Sequence, residues 1–154
     1  WYSVPSVWVS DAFLFRQIHD FPKLILNQAK VLTTDTIHRV RFKEKTNPRT
    51  FCASFHNSLT FAFSEIMGRS YGGGVLELEP KEAEELPIPY FNISENLVDK
   101  MDLLIRKKDI KKLLCFTDNL LLRKKLGFKE KEIKMLTSIW EKLSARRMNR
   151  KSRN

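Results

Sequence analysis

Three short segments concentrate side chains that could recognise a polyanion. Thr33-Thr34-Asp35-Thr36 sets three hydroxyls beside a carboxylate. Asp accepts from the exocyclic amine of cytosine or adenine, and Thr reaches bases or phosphates; the same residues also suit an Asx or Ser/Thr turn. Arg39, Arg41 and Lys43 follow at every second position. On an extended chain they share one face at intervals of roughly 6.6 Å, close to the phosphate spacing of a nucleic-acid strand, although a solvated strand face would look the same. His38 falls with Val40 and Phe42 on the opposite, apolar face and reads first as a core or edge histidine. In Arg69-Ser70-Tyr71-Gly72-Gly73-Gly74, three residues without Cβ allow either a tight turn or close backbone approach to a ligand. The cation, hydroxyl and ring beside them suit nucleic acid.

Chemistry on substrates is harder to place. The glycine run follows a helical pattern and precedes a strand, the reverse of the order a phosphate- or dinucleotide-binding loop requires. His19, His38 and His56 lack metal-ligand spacing, and Cys52 has no nucleophile signature around it. Glu77, Glu79, Glu82, Glu84 and Glu85 read as solvated acids rather than a general acid and base. No catalytic, cofactor-binding or metal-binding residue is therefore expected in this segment.

The elements that must position these residues can be read from periodicity. Phe13 to Ile18 and Leu24 to Lys43 are rich in β-formers and read as strands, punctuated by Pro22. Phe51, Phe55, Leu59, Phe63 and Ile66 recur every three or four residues, predicting one core helix to Met67, capped by Thr46 or Asn47 and stopped by Gly68. A short strand over 75–78 and an acidic helical turn over 80–86 follow. Leu86-Pro87-Ile88-Pro89 enforces extended backbone and reads as a linker. Three helices are expected beyond it. Asn92 with Glu95 suggests a capping box for the first, whose stripe is Leu97, Met101, Leu104 and Ile105. The second runs from Ile110 to a stop at Gly127; the third carries Ile133, Leu136, Trp140 and Leu143, and the basic run 146–154 is expected to fray.

The fold class expected is α+β: a small, curved, mostly antiparallel sheet with a packed helix, then a basic three-helix extension. The division expected is 1–93 and 94–154. Charge follows that division, since residues 1–94 hold ten basic and ten acidic side chains and the whole +10 lies beyond them. With 154 residues and 42% hydrophobic content there is enough apolar matter for a packed core, and disorder is excluded for most of the chain. No apolar run approaches the length of a membrane span, and neither a signal peptide nor a disulfide framework is legible. Cys52 and Cys115 are expected as small buried hydrophobes. A first residue of Trp1 suggests a piece of a longer protein whose machinery lies upstream.

Asp11 to Ile18 (DAFLFRQI), Thr34 to Val40 (TDTIHRV), Arg69 to Pro80 (RSYGGGVLELEP) and Leu86 to Pro89 (LPIP) resemble the C-terminal target-recognition domain of N6-adenine DNA methyltransferases from bacterial and archaeal restriction-modification systems. Ile139 to Leu143 with Arg146 and Arg147 is similar to the tail of such enzymes. The resemblance implies that an upstream Rossmann-type domain binds S-adenosylmethionine and holds a flipped adenine at an Asn/Asp/Ser-Pro-Pro-Tyr/Phe motif. Here Asn47-Pro48 runs into Arg49, and Pro89-Tyr90 lacks the preceding polar-Pro pair, so this chain should not methylate by itself. Position by position, Thr34, Asp35, Thr36, His38 and Arg39 match one recognition motif, and Arg69, Ser70, Tyr71, Gly72, Gly73 and Gly74 match the other, in loops similar to those of type I specificity subunits. The partners implied are double-stranded DNA, the upstream domain of the same chain and a restriction subunit, in a prokaryotic cytoplasm and away from membrane. Rival readings are a protein-interaction module docking on a restriction or specificity subunit, an enzyme complete in itself, and a tail that binds RNA.

Overall fold

The computed structural model describes residues 8–149. The chain is α+β, with two three-stranded antiparallel sheets and helices packed on and beyond them. Strand β1 (Ala12–Phe15) runs into β2 (Gln17–Ile18) through a bend at Arg16. It pairs first with β3 (Leu24–Leu26) and β4 (Ile37–Val40), in the order β3-β1-β4. Beyond the bend, β2 joins β6 (Leu76–Glu77), which in turn pairs with β5 (Arg69–Ser70). The sheets are thus two halves of one curved surface. The extended reading of residues 24–43 is corrected: 27–36 is a loop. Asn27 closes it by donating to the Ser10 and Val31 carbonyls and accepting from the Val31 N–H, taking those groups out of any ladder.

The core forms where Ala12, Leu14, Ile18 and Leu24 meet Cys52, Phe55, Leu76 and Leu78. The single long helix expected over 51–67 is two, α1 (Pro48–Ser54) and α2 (Ser58–Met67). Hydrophobic period runs unbroken across the break, but Asn57 is extended, accepts from the Thr60 N–H at 3.0 Å and donates to the Ser54 carbonyl at 2.7 Å. A side chain that caps the second helix has to leave the first. Asn47 caps α1 as expected, accepting from Thr50 N–H at 3.1 Å.

After β6 come α3 (Pro80–Glu84) and then α4 (Glu95–Arg106), α5 (Ile110–Thr117) and α6 (Glu130–Asn149). Ser94, not Asn92, occupies the cap position of α4. Residues Asp118–Arg123 continue α5 as a π-helical segment, and Gly127 turns the chain at φ +77°. Helix α6 packs along α2, with Trp140 edge-on to Phe61 at 5.2 Å. Its last turn does not fray: Arg147 is 2% exposed. Residues 150–154 lie outside the described part of that basic run. Cys52 is buried as expected, whereas Cys115 faces outward from α5. No helix among the described residues is long and apolar enough to cross a membrane.

Candidate nucleic-acid interface

Antiparallel register sorts the first sheet into two faces. Leu24, Leu14 and His38 form a row on the core side, while Ile25, Phe13 and Arg39 form one on the outer side. The ladder of Arg39, Arg41 and Lys43 is not a strand face throughout, because β4 ends at Val40. There the Asp11 carboxylate accepts from the Phe42 N–H at 2.8 Å and turns Phe42 into contact with Phe51. The arginines converge instead on an indole. Arg39 and Arg41 place their guanidinium carbons 5.5 and 4.3 Å from the Trp8 ring centroid. Stacking on a ring orients a guanidinium while leaving its N–H donors for another acceptor. Among the described residues no carboxylate lies within ion-pair distance of Arg39, Arg41 or Lys43, and all three are exposed. Beside them Thr34, Asp35 and Thr36 are exposed, the two threonine hydroxyls 3.2 Å apart.

The glycine segment is a single 3-10 turn, Gly72–Gly74, between β5 and β6, closed by Tyr71 N–H to the Val75 carbonyl at 2.9 Å. Gly73 and Gly74 hold φ of +76° and +78°, the left-handed region that explains why glycines stand there. Nothing lies within 4 Å of where a Cβ would project at Gly72 or Gly73. Gly74 is buried against α6, and its carbonyl accepts from Arg147. The turn is therefore open on one side only, and it opens no helix, so it does not fit a cofactor cradle. Ser70 is exposed on β5. Arg69 bonds Glu82 at 2.9 Å, which raises its already high pKa, with Tyr71 as a further hydrogen-bond partner. Tyr71 is 48% exposed.

A chain of contacts joins the two segments. His38 Nε2 donates to the Leu78 carbonyl at 2.7 Å, which commits that end of the ring to the fold. Leu78 N–H donates to the Arg16 carbonyl, Arg16 pairs with Glu77 and Glu79, and Glu82 accepts from the Glu79 N–H before meeting Arg69. This network thus runs from His38, whose chain neighbour Arg39 stacks on Trp8, to Arg69, which leads into the glycine turn.

Some of the helical cations are paired with carboxylates. Arg106 pairs with Asp102, Lys112 with Asp109 and Lys134 with Glu130. Arg49 on α1 is clamped by Glu95 and Asp99. A cavity of about 280 Å³ lies between β3, α1 and α4, with Cys52 and His56 in its lining. Burial pushes the Cys52 thiol up to about 12 and His56 down to about 4, so neither is a nucleophile or base at neutral pH. His56 Nδ1 donates to the Cys52 carbonyl, and its Nε2 is sealed from solvent.

Trp8 and Arg147 were not legible as site residues. The Trp8 contacts span more than thirty positions with no local pattern. Arg147 did leave a signal, since it stands seven residues beyond Trp140 and fourteen beyond Ile133, on the apolar stripe of α6.

The described residues thus present a basic, aromatic surface on a small α+β scaffold. Residues 1–122 match the family model described as Type II methyltransferase M.Eco57I, C-terminal domain. The chain belongs to that family. Comparison with curated proteins and with solved structures returned no match.

Proposed function

We propose that this domain recognises double-stranded DNA in a sequence-specific manner for adenine-N6 methylation, with S-adenosylmethionine held by an upstream domain of the parent chain. The observation that carries this reading is the pairing of Arg39 and Arg41 on Trp8, two uncompensated cations, one on the outer face of β4 and one just past its end, which follow the exposed Thr34, Asp35 and Thr36 in sequence. Arg39, Arg41 and Lys43 supply phosphate contacts, which position the duplex without reading it. Asp35, Thr34 and Thr36, and across the network Arg69, Ser70 and Tyr71 with open Gly72 and Gly73, supply groups suited to base edges. His38 and Gly74 support this surface from within.

The test is duplex binding by the full chain, first selecting a preferred sequence from a randomised library. Arg41→Ala weakens selected and random duplexes alike and reduces the salt slope by about 1, whereas Asp35→Ala or Arg69→Ala relaxes selectivity at one base pair, a loss of about 1–3 kcal/mol in discrimination. Equal losses on both duplexes for all three variants would overturn the assignment of readers.

A second reading, docking on a restriction or specificity subunit, is favoured by Val31 and Leu32, 50% and 58% exposed in the loop after β3. Capture of such a subunit with no duplex retained would select it.

A further inference from the structure

We propose that Arg147 of α6 is the positioning residue of the glycine turn, fixing the conformation in which Tyr71, Gly72 and Gly73 meet DNA; the DNA part rests on the reading above. Its guanidinium is fully internal and its hydrogen bonds converge on three separate parts of the chain. Nε and Nη2 bond the two Glu65 oxygens at 3.2 and 2.7 Å, joining α6 to α2. Nη1 donates to the Ile18 and His19 carbonyls at 3.3 and 2.9 Å, where β2 ends, and to the Gly74 carbonyl, where the turn ends. Only a planar fork can hold a carboxylate with two nitrogens and reach backbone carbonyls beside it; an ammonium is a point donor.

The next residue tightens the same junction. A Cβ on Gly74 would come within 3.3 Å of Met148 Sδ and 3.4 Å of its Cα, so the turn lies directly on the α6 backbone at φ +78°. One side of the turn is thus pinned to α6, and its other side is open around Gly72 and Gly73. A loose triple-glycine turn would spend much of its time elsewhere. Helix α6 begins at residue 130, outside the 1–122 stretch that matches the family, yet it fixes a loop within that stretch.

The experiment uses the full chain and Arg147→Lys, which keeps the charge and loses the fork. Amide resonances of Gly73 and Gly74 shift, and exchange of the Tyr71 N–H accelerates about tenfold or more, while β1 amides keep their protection. Discrimination between the library-selected and random duplexes falls about tenfold, with random-duplex affinity unchanged. Unshifted turn resonances together with full discrimination overturn the proposal. If Arg147→Lys does not fold, wild-type exchange in mild denaturant decides. Tyr71 N–H opening together with the α6 amides supports the anchor, and Tyr71 protected through openings that expose α6 overturns it. A wild-type chain that selects no duplex sinks the DNA reading alone, and the exchange results still decide whether Arg147 positions the turn.

Discussion

Cys52 and Cys115 separate by environment although their sequence surroundings look alike. The Cys52 thiol is buried and raised to about 12, and Cys115 is exposed on α5. At pH 8 an aromatic disulfide reagent should therefore titrate one thiol in the native chain and two in denaturant. His56 makes a pH signature. Its folded value, about 4, lies below the ordinary 6.5, so the unfolded chain takes up a proton first as pH falls. The stability it contributes is present above about pH 6.5 and is lost on descending to about 4, a change of roughly 3 kcal/mol. Asp118 works in the opposite sense. Burial raises its carboxyl above 3.8 despite hydrogen bonds from the Ser58 N–H and hydroxyl, so the folded state gains as pH falls through the raised value. Thermal midpoints between pH 7 and 5 should fall in the wild type and fall less in His56→Gln, from which this contribution is gone.

Helices and strands were legible where one period dominates. Alternation placed β4, and the three-to-four spacing placed α2, α4 and α6, because burial of a single stripe is what those patterns encode. The break between α1 and α2 escaped notice, since the apolar period from Phe51 to Ile66 continues through it and only the hydrogen bonds of Asn57 decide otherwise. Asn57 accordingly matters more than a surface cap. Its Nδ2 also donates to Thr60 Oγ1 at 2.9 Å, and the residue is fully buried. Asn57→Ala should cost about 2 kcal/mol, the upper end for such substitutions, whereas exposed Asn47→Ala should cost about 1 in urea unfolding. The candidate surface was half legible. The residues of the two segments could be named, but Trp8 as the platform for Arg39 and Arg41 is a long-range contact that no local pattern records.

Across the whole molecule, net charge and usable charge are different quantities. The +10 lies in residues 95–154, where, among the described residues, Lys107, Lys108, Lys124 and Lys125 have no carboxylate partner, while the electrically neutral half carries a further uncompensated cluster on Trp8. Duplex binding through Arg39, Arg41 and Lys43 alone should show log K falling against log salt with a slope of about −3. Titration by fluorescence anisotropy between low and moderate salt measures it directly, and a much steeper slope would bring the helical lysines into contact with the backbone.

Because β1 and β2 are one ribbon bent at Arg16, the two sheets share a single reading frame of inward and outward side chains. An extra residue inserted after Phe15 would leave the tryptophan-arginine face where it is and send Ile18 outward, prising the β5–β6 hairpin from its seat. A change of chain length at that corner alters both surfaces at once.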